Sequence, residues 1–258
     1  MYYLFSNYSS VAIGFGFVLV LVLTACLGNF IISKIIKADD LRNNRESISI
    51  IFGAISLIYS LLIAFVMVAV WDDYEELNQT IESESDKLME INILSMQLPD
   101  SLSKIINQHI YDYTSLVIKN EWHTNPEKRI ENTQISNMRT DLYAMKSADA
   151  TVSNTIESVN NDLSELGNIR QQRIRHNYSH VPQLVWFILI AGTFITVFCS
   201  WLFYIEKKAI HYLLIILLTF LIAMCLFLVY MLDHPFEGST AVRPDSFYDV
   251  IKTVTSNL

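Results

Sequence analysis

Charge is missing where its absence decides the class of this chain. Residues 11–33, 47–71, 181–205 and 209–232 contain no Asp, Glu, Lys or Arg, and a helix crosses a bilayer with about 20 predominantly apolar residues. These runs exclude an ordinary soluble domain. Glycine and proline are also scarce, 7 and 5 in 258 residues, so phosphate-cradling loops are excluded and helices can run long. The three cysteines, Cys26, Cys199 and Cys225, all fall inside the uncharged runs, which points to packing residues rather than a disulfide framework. No Gly-x-Ser-x-Gly elbow or His-Glu-x-x-His pair occurs, and no enzymatic activity or cofactor is expected.

The residues present point one way. Hydrophobic residues make up 52% of the chain and charged ones 17%, with positive mean hydropathy. None of the four runs alternates with a period of two, so all should be α-helices rather than barrel strands. The predicted fold is all-α: four transmembrane helices with an extramembrane helical bundle, a stalk, inserted between helices two and three. Residues 1–71 hold the first two spans, 72–180 the bundle, 181–236 the last two spans, and 237–258 a tail with a short amphipathic helix.

Orientation follows from the short loops. Lys34, Lys37, Arg42 and Arg45 join the first two runs and Lys207 and Lys208 the last two, which makes those loops cytoplasmic. Both termini and the bundle are then extracytoplasmic, in a bacterial inner membrane. The N-terminal tail carries no Lys or Arg and the apolar run after it is too long for a signal-peptide core, so the first segment is expected to stay in the protein. A net charge of −8 argues against a nucleic-acid partner.

From Ser47 to Leu98 there is no proline and only Gly53, which predicts one helix of about 50 residues and roughly 75 Å. Its polar half carries a helical stripe, Tyr74, Leu77, Ile81, Glu84, Leu88, Ile91, Ser95 and Leu98, apolar at six of eight positions. Pro99-Asp100 turns the chain. A second amphipathic stretch, Leu102, Ile105, Ile106, Ile110, Tyr113, Leu116 and Val117, should end at Asn125-Pro126. A third runs from Ile135 through Met138, Leu142 and Met145, bends at Asp149, continues through Val152, Ile156, Val159, Leu163, Leu166 and Ile169, and is expected to pass straight into the third span.

On the second run Ser49, Gly53, Ser56, Ser60 and Ala64 share one helical face. Two readings stand: a pore lining, where hydroxyls replace part of an ion's hydration shell, or close helix packing. Beyond Trp71 come Asp72, Asp73, Glu75 and Glu76, with Glu82, Glu84 and Asp86 one to three turns further along. In a homo-oligomer these become rings that attract cations; pairing with the cluster Arg170, Arg173, Arg175 and His176 is the preferred alternative. His176 and His180 stand four apart, but no third ligand follows, and no metal site is assigned. His109 and His123 carry no metal spacing either. The lone imidazole in a run, His211, sits near the cytoplasmic end of the fourth. The absence of a mid-span ionisable group disfavours an ion-coupled transporter and leaves a passive pore open.

Tyr59, the run from Leu61 to Phe65, Trp71 and Tyr74, the paired later runs and the ending Asp233-His234-Pro235-Phe236-Glu237-Gly238 resemble the bestrophin-like family of bacterial membrane proteins. The Arg170 and Arg173 spacing fits as well. The resemblance implies kinship with oligomeric anion pores and makes Tyr59, Trp71, Asp233, His234, Pro235, Phe236 and Gly238 a family signature. Asp233 is a candidate ion-pair partner of Arg170 or Arg173, and Pro235 should end the fourth helix. The function expected is an oligomeric ion channel lined by the second helix, with the lipid bilayer, inorganic ions and further copies of the chain as partners. The alternative is a non-conducting sensor, scaffold or assembly factor working through a partner, because the cytoplasmic loops are too short to hold an output domain.

Overall fold

The computed structural model of the protein describes residues 10–122, 133–144, 149–176, 181–236 and 241–256. Among them every regular element is helical: α1 (Ser10–Ile35), α2 (Ala38–Asn43), α3 (Arg45–Ser95), α4 (Asp100–Leu116), a π-helical turn (Val117–Glu121), α5 (Gln134–Ala144), α6 (Ala150–His176), α7 (Gln183–Trp201), α8 (Lys208–Asp233) and α9 (Asp245–Thr255). Helices α1, α3, α7 and α8 are long and apolar enough to cross a bilayer. The chain divides into an apolar unit, Met1–Tyr74 with His180–Ala241, and a polar unit, Glu75–Ser179 with Val242–Leu258.

Helix α3 runs unbroken for 51 residues, as its lack of proline requires. It stops where Met96, Gln97 and Leu98 take short-range bonds and Pro99 starts α4 by accepting the Leu102 and Ser103 N–H groups. The expected bend at Asp149 is a helix start instead. The Asp149 carboxylate accepts the Thr151 N–H at 2.8 Å, so α6 opens there with a side-chain cap. A continuous helix from the bundle into the third span is not what forms. Helix α6 ends at His176 and α7 begins at Gln183, because Pro182 has no N–H to give and restricts Val181 to extended backbone. Met145, His123, Asn125-Pro126, His180 and Glu237-Gly238 lie outside the described residues.

In the apolar unit α1, α7 and α8 pack together and Tyr59, Ile63 and Val70 of α3 join Leu189, Val197, Ile215, Ile222, Leu226 and Val229 in the core. Close approach depends on glycine. A Cβ on Gly192 would enter the Tyr59 ring, and one on Gly28 would enter the Trp201 indole. The outer surface carries bare apolar side chains such as Phe15, Leu57, Leu184 and Phe187, a pattern that a lipid or protein environment must cover.

The polar unit has an ordinary dense core. Leu77, Ile81, Leu88 and Ile91 of α3, Leu102, Ile106, Ile110 and Tyr113 of α4, Met138 and Leu142 of α5, Val159, Leu163 and Leu166 of α6, and Phe247, Val250 and Val254 of α9 are all buried. The three-four spacing of apolar positions on each helix produces this meeting of stripes. Asn92 Nδ2 donates to Asn107 Oδ1 at 2.8 Å and Ser95 Oγ to the same oxygen at 3.1 Å, so the buried polar groups at the α3–α4 turn satisfy one another.

Candidate functional site

The small face of α3 stands clear of the core. Ser49, Gly53, Ser60 and Ala64 are exposed and Ser56 is half-buried, while Tyr59, Ile63 and Val70, roughly 80° round the helix, enter the packed interior. A Cβ on Gly53 would meet nothing within 4 Å. Among the described residues, then, this face is open at Ser49, Gly53, Ser60 and Ala64 and partly covered at Ser56. Ser56 Oγ donates to the Phe52 carbonyl at 2.7 Å and Ser60 Oγ to the Leu57 carbonyl at 2.9 Å. With their protons used on the helix itself, these oxygens have lone pairs left to offer.

Trp71 stacks loosely on Tyr74, ring centroids 6.5 Å apart, and the carboxylates of Asp72, Asp73, Glu75 and Glu76 beside them are exposed. Of the carboxylates expected to pair with the arginine cluster, Glu84, further along the same helix, is the one that meets Arg173. Arg173 donates from Nε to Glu84 Oε2 at 2.6 Å and from Nη2 to Glu84 Oε1 at 3.1 Å and Glu121 Oε2 at 2.7 Å. Arg170 donates from Nη2 to Glu121 Oε1 at 2.7 Å. Of the acidic cluster, Glu76 comes within 3.9 Å of the His176 imidazole. The physical reason is burial: Glu84 is fully buried and Arg173 is 2% exposed, and a buried carboxylate needs a charged partner far more than one in water does.

This network joins four segments of the polar unit. The π-helical turn supplies Glu121, and its wider register brings Trp122 N–H onto the Val117 carbonyl at 3.0 Å. Tyr113 donates to Glu84 Oε1 at 2.6 Å. The Arg173 guanidinium lies over the Trp122 and Phe247 rings at 5.9 and 6.0 Å, and Trp122 Nε1 donates to the Val242 carbonyl at 2.9 Å. Two carboxylates and two guanidiniums balance. Burial opposes the Arg173 charge, yet the facing Glu84 carboxylate holds its pKa above the ordinary arginine value. Burial pushes the Tyr113 hydroxyl well above the usual tyrosine range, and the Glu84 charge adds to it. Nearby, Lys87 bridges Glu90 at 2.7 Å, Glu165 at 3.0 Å and Asp162 at 3.3 Å. Its pKa is raised, first by the hydrogen bond to Glu90.

The chemistry of this network is neutralisation: every charge in it is matched, so it holds helices together. Sequence reasoning placed Arg170 and Arg173 in ion pairs but missed Glu121 and Trp122. Glu84 had shown itself as an acid in an apolar stripe. His109 bonds Gln134 at 3.0 Å and Asp141 at 2.8 Å, tying α4 to α5.

The terminal signature does local structural work. Helix α8 ends at Asp233, with Pro235 just beyond it. Asp233 Oδ1 accepts the Val181 N–H at 2.7 Å, fixing the entry to α7. His234 stacks on Tyr230 with centroids 4.4 Å apart and lies 3.5 Å from the Asp233 carboxylate. Pro235 is buried and Phe236 half-buried.

Comparison with known proteins adds a family and a fold. The model of the bestrophin-like domain matches residues 19–247. A solved variant of a bacterial bestrophin homologue from Klebsiella pneumoniae is 13% identical, with a TM-score of 0.71 over 93% of this chain and 98% of its own. A second variant of that homologue is 12% identical, with a TM-score of 0.70 over the same shares. A third structure, described as a membrane protein, is 13% identical with a TM-score of 0.70. No curated protein matches the chain.

Proposed function

Because the chain belongs to the bestrophin-like family, we propose that it is a membrane ion channel, a homo-oligomer in which α3 lines the pore. The observation that carries this reading is the exposed small face of α3: Ser49, Gly53, Ser60 and Ala64, with open space at Gly53 and Ser56 at its edge. Around a symmetry axis such a face leaves a narrow passage edged with hydroxyl oxygens. Helices α1, α3, α7 and α8 are the four spans, and the polar unit is the extramembrane stalk between the second and third. The domain layout read from sequence is retained, with the tail helix α9 resting on α4. The chain sits in a bacterial inner membrane with Lys34, Lys37, Arg42, Lys207 and Lys208 on the cytoplasmic side.

Asp72, Asp73, Glu75 and Glu76 stand beside Trp71 at one end of the proposed pore. Arg173 is held by Glu84 and Glu121, and Arg170 by Glu121, while these acids face the solution. Repeated around the axis they attract cations. The test is a planar-bilayer recording of purified protein in asymmetric KCl, together with its oligomeric mass. Discrete currents from an oligomer support the channel, and replacing all four acids with their amides is expected to move the reversal potential toward anions. A well-formed oligomer that stays silent across voltage and pH overturns it and leaves a scaffold.

A further inference from the structure

Two threonines inside the apolar unit break a rule that the others keep. Thr24 Oγ1 donates to the Val20 carbonyl at 2.7 Å and Thr193 Oγ1 to the Leu189 carbonyl at 2.9 Å, the usual way a helix absorbs a hydroxyl. Thr196 of α7 and Thr219 of α8 are each 2% exposed, and among the described residues their hydroxyls have no hydrogen-bond partner. A buried polar group left without a partner is costly.

Counting along α7 and α8, which pack on each other, sets the two hydroxyls about one helical turn apart in height. His211 Nε2 meets the Ser200 carbonyl at 3.1 Å, and the helices run antiparallel from that point. Counting from it, Thr219 falls opposite position 192, level with Thr193. Thr196 falls about four residues, or roughly 6 Å, nearer His211. Thr193 Oγ1 and the Tyr59 hydroxyl share a 2.5 Å hydrogen bond. The order along the seam is therefore Thr219, then Thr193 with Tyr59, then Thr196, and Ser200 with His211. Hydroxyls recur at about the spacing that one bridging water spans, and a buried water needs two to four such partners.

We propose that ordered water occupies the α7–α8 seam, bonded to Thr196 and Thr219 and joining them to the Tyr59–Thr193 pair. The site lies within one chain, behind the buried face of α3 and apart from the small face. It rests on the membrane reading of the apolar unit and is independent of conduction. Beyond Thr219 the seam turns apolar at Ile222, Leu226 and Val229, so the water stops partway along it.

Water-edited solid-state NMR of the full chain in lipid vesicles, with labelled threonine, leucine and valine, tests this directly. Thr196 and Thr219 are expected to take up magnetisation from water as quickly as residues at the helix ends, whereas Leu226 and Val229 stay dry. In the double variant Thr196→Val, Thr219→Val the transfer to Thr193 is expected to be lost, because valine keeps the shape and removes both hydroxyls. The proposal is overturned if Thr196 and Thr219 in the unaltered protein are as dry as Val229. It is equally overturned if the double variant leaves transfer to Thr193 unchanged. The first arm needs no variant, and a silent bilayer recording would not affect it.

Discussion

The two units of this chain invert each other. In the polar unit the apolar side chains are inside, with Leu88, Ile91, Tyr113 and Leu163 at 0% exposure, and the charges that enter are matched pair by pair. In the apolar unit Phe15 and Leu57 are 70% exposed or more, and hydroxyls from Tyr59, Thr193, Thr196 and Thr219 are buried. The difference teaches where each unit finds its stability. Water drives the first to fold around its apolar stripes. The second has an apolar surface all round, so close packing at glycines and a few internal hydrogen bonds distinguish one helix arrangement from another.

The comparison predicts that the polar unit breaks through charge. Arg173→Met leaves Glu84 and Glu121 buried without their shared partner and is expected to cost about 3–5 kcal/mol, read as a fall in the chemical-denaturation midpoint. Adding Glu84→Leu should recover much of it, because Glu121 keeps its pair with Arg170. If the single variant is as stable as the parent, the network is not holding the helices. The apolar unit breaks through shape. Gly192→Ala drives a methyl into the Tyr59 ring and is expected to cost about 1–3 kcal/mol, measured by thermal unfolding in detergent. Equal stability would mean that α3 and α7 can part without loss.

Alkali sharpens the contrast further. Tyr113 has a folded-state pKa above its unfolded value, so the stability it gives is complete below about pH 10 and falls as pH rises through the folded value. The slope approaches about 1.4 kcal/mol per pH unit between about pH 10 and the folded value. Lys87 shifts in the same direction and adds a smaller part. Denaturation at pH 9, 10 and 11 should show the decline, and Tyr113→Phe should flatten it. A Tyr113→Phe profile as steep as the parent's would remove Tyr113 from the account. The smallest effect expected is that of Trp122→Phe, which keeps a ring against Arg173 but loses the bond to the Val242 carbonyl. About 0.5–1.5 kcal/mol should follow, with faster amide exchange in α9 as the readout. Unaltered exchange would mean that the tail helix is held by Phe247, Val250 and Val254 alone.

Much of this fold was legible in the residues because the deciding signals are local. The stretch from Ser47 to Leu98 without proline foretold the 51-residue α3, and Pro235 foretold the end of α8. Glu84 and Ser95 stood in an apolar stripe, and both turned out to be fully buried. What was not legible depends on long-range choice. Arg173 lies 89 residues from Glu84, and although the stripe marks Glu84 for burial, nothing local says which of the arginines before the third apolar run meets it. Glu121 reaches the arginines through a π-helical turn, which shifts register by one residue and leaves no mark in the hydrophobic pattern. Pro182 was a readable signal that the bundle helix and the third apolar helix are separate. The hydroxyls of Thr196 and Thr219 sit in a run whose composition says only that it is apolar.

The claim that most needs breaking is that the small face of α3 lines a passage. Single-channel recording of Gly53→Trp beside Ile58→Trp tests it, because Gly53 has open space on that face and Ile58, 70% exposed, points elsewhere on the same helix. Both variants should assemble with the parent's oligomeric mass. The account predicts that Gly53→Trp abolishes current while Ile58→Trp conducts as the parent does. Parent-like currents from Gly53→Trp would contradict it.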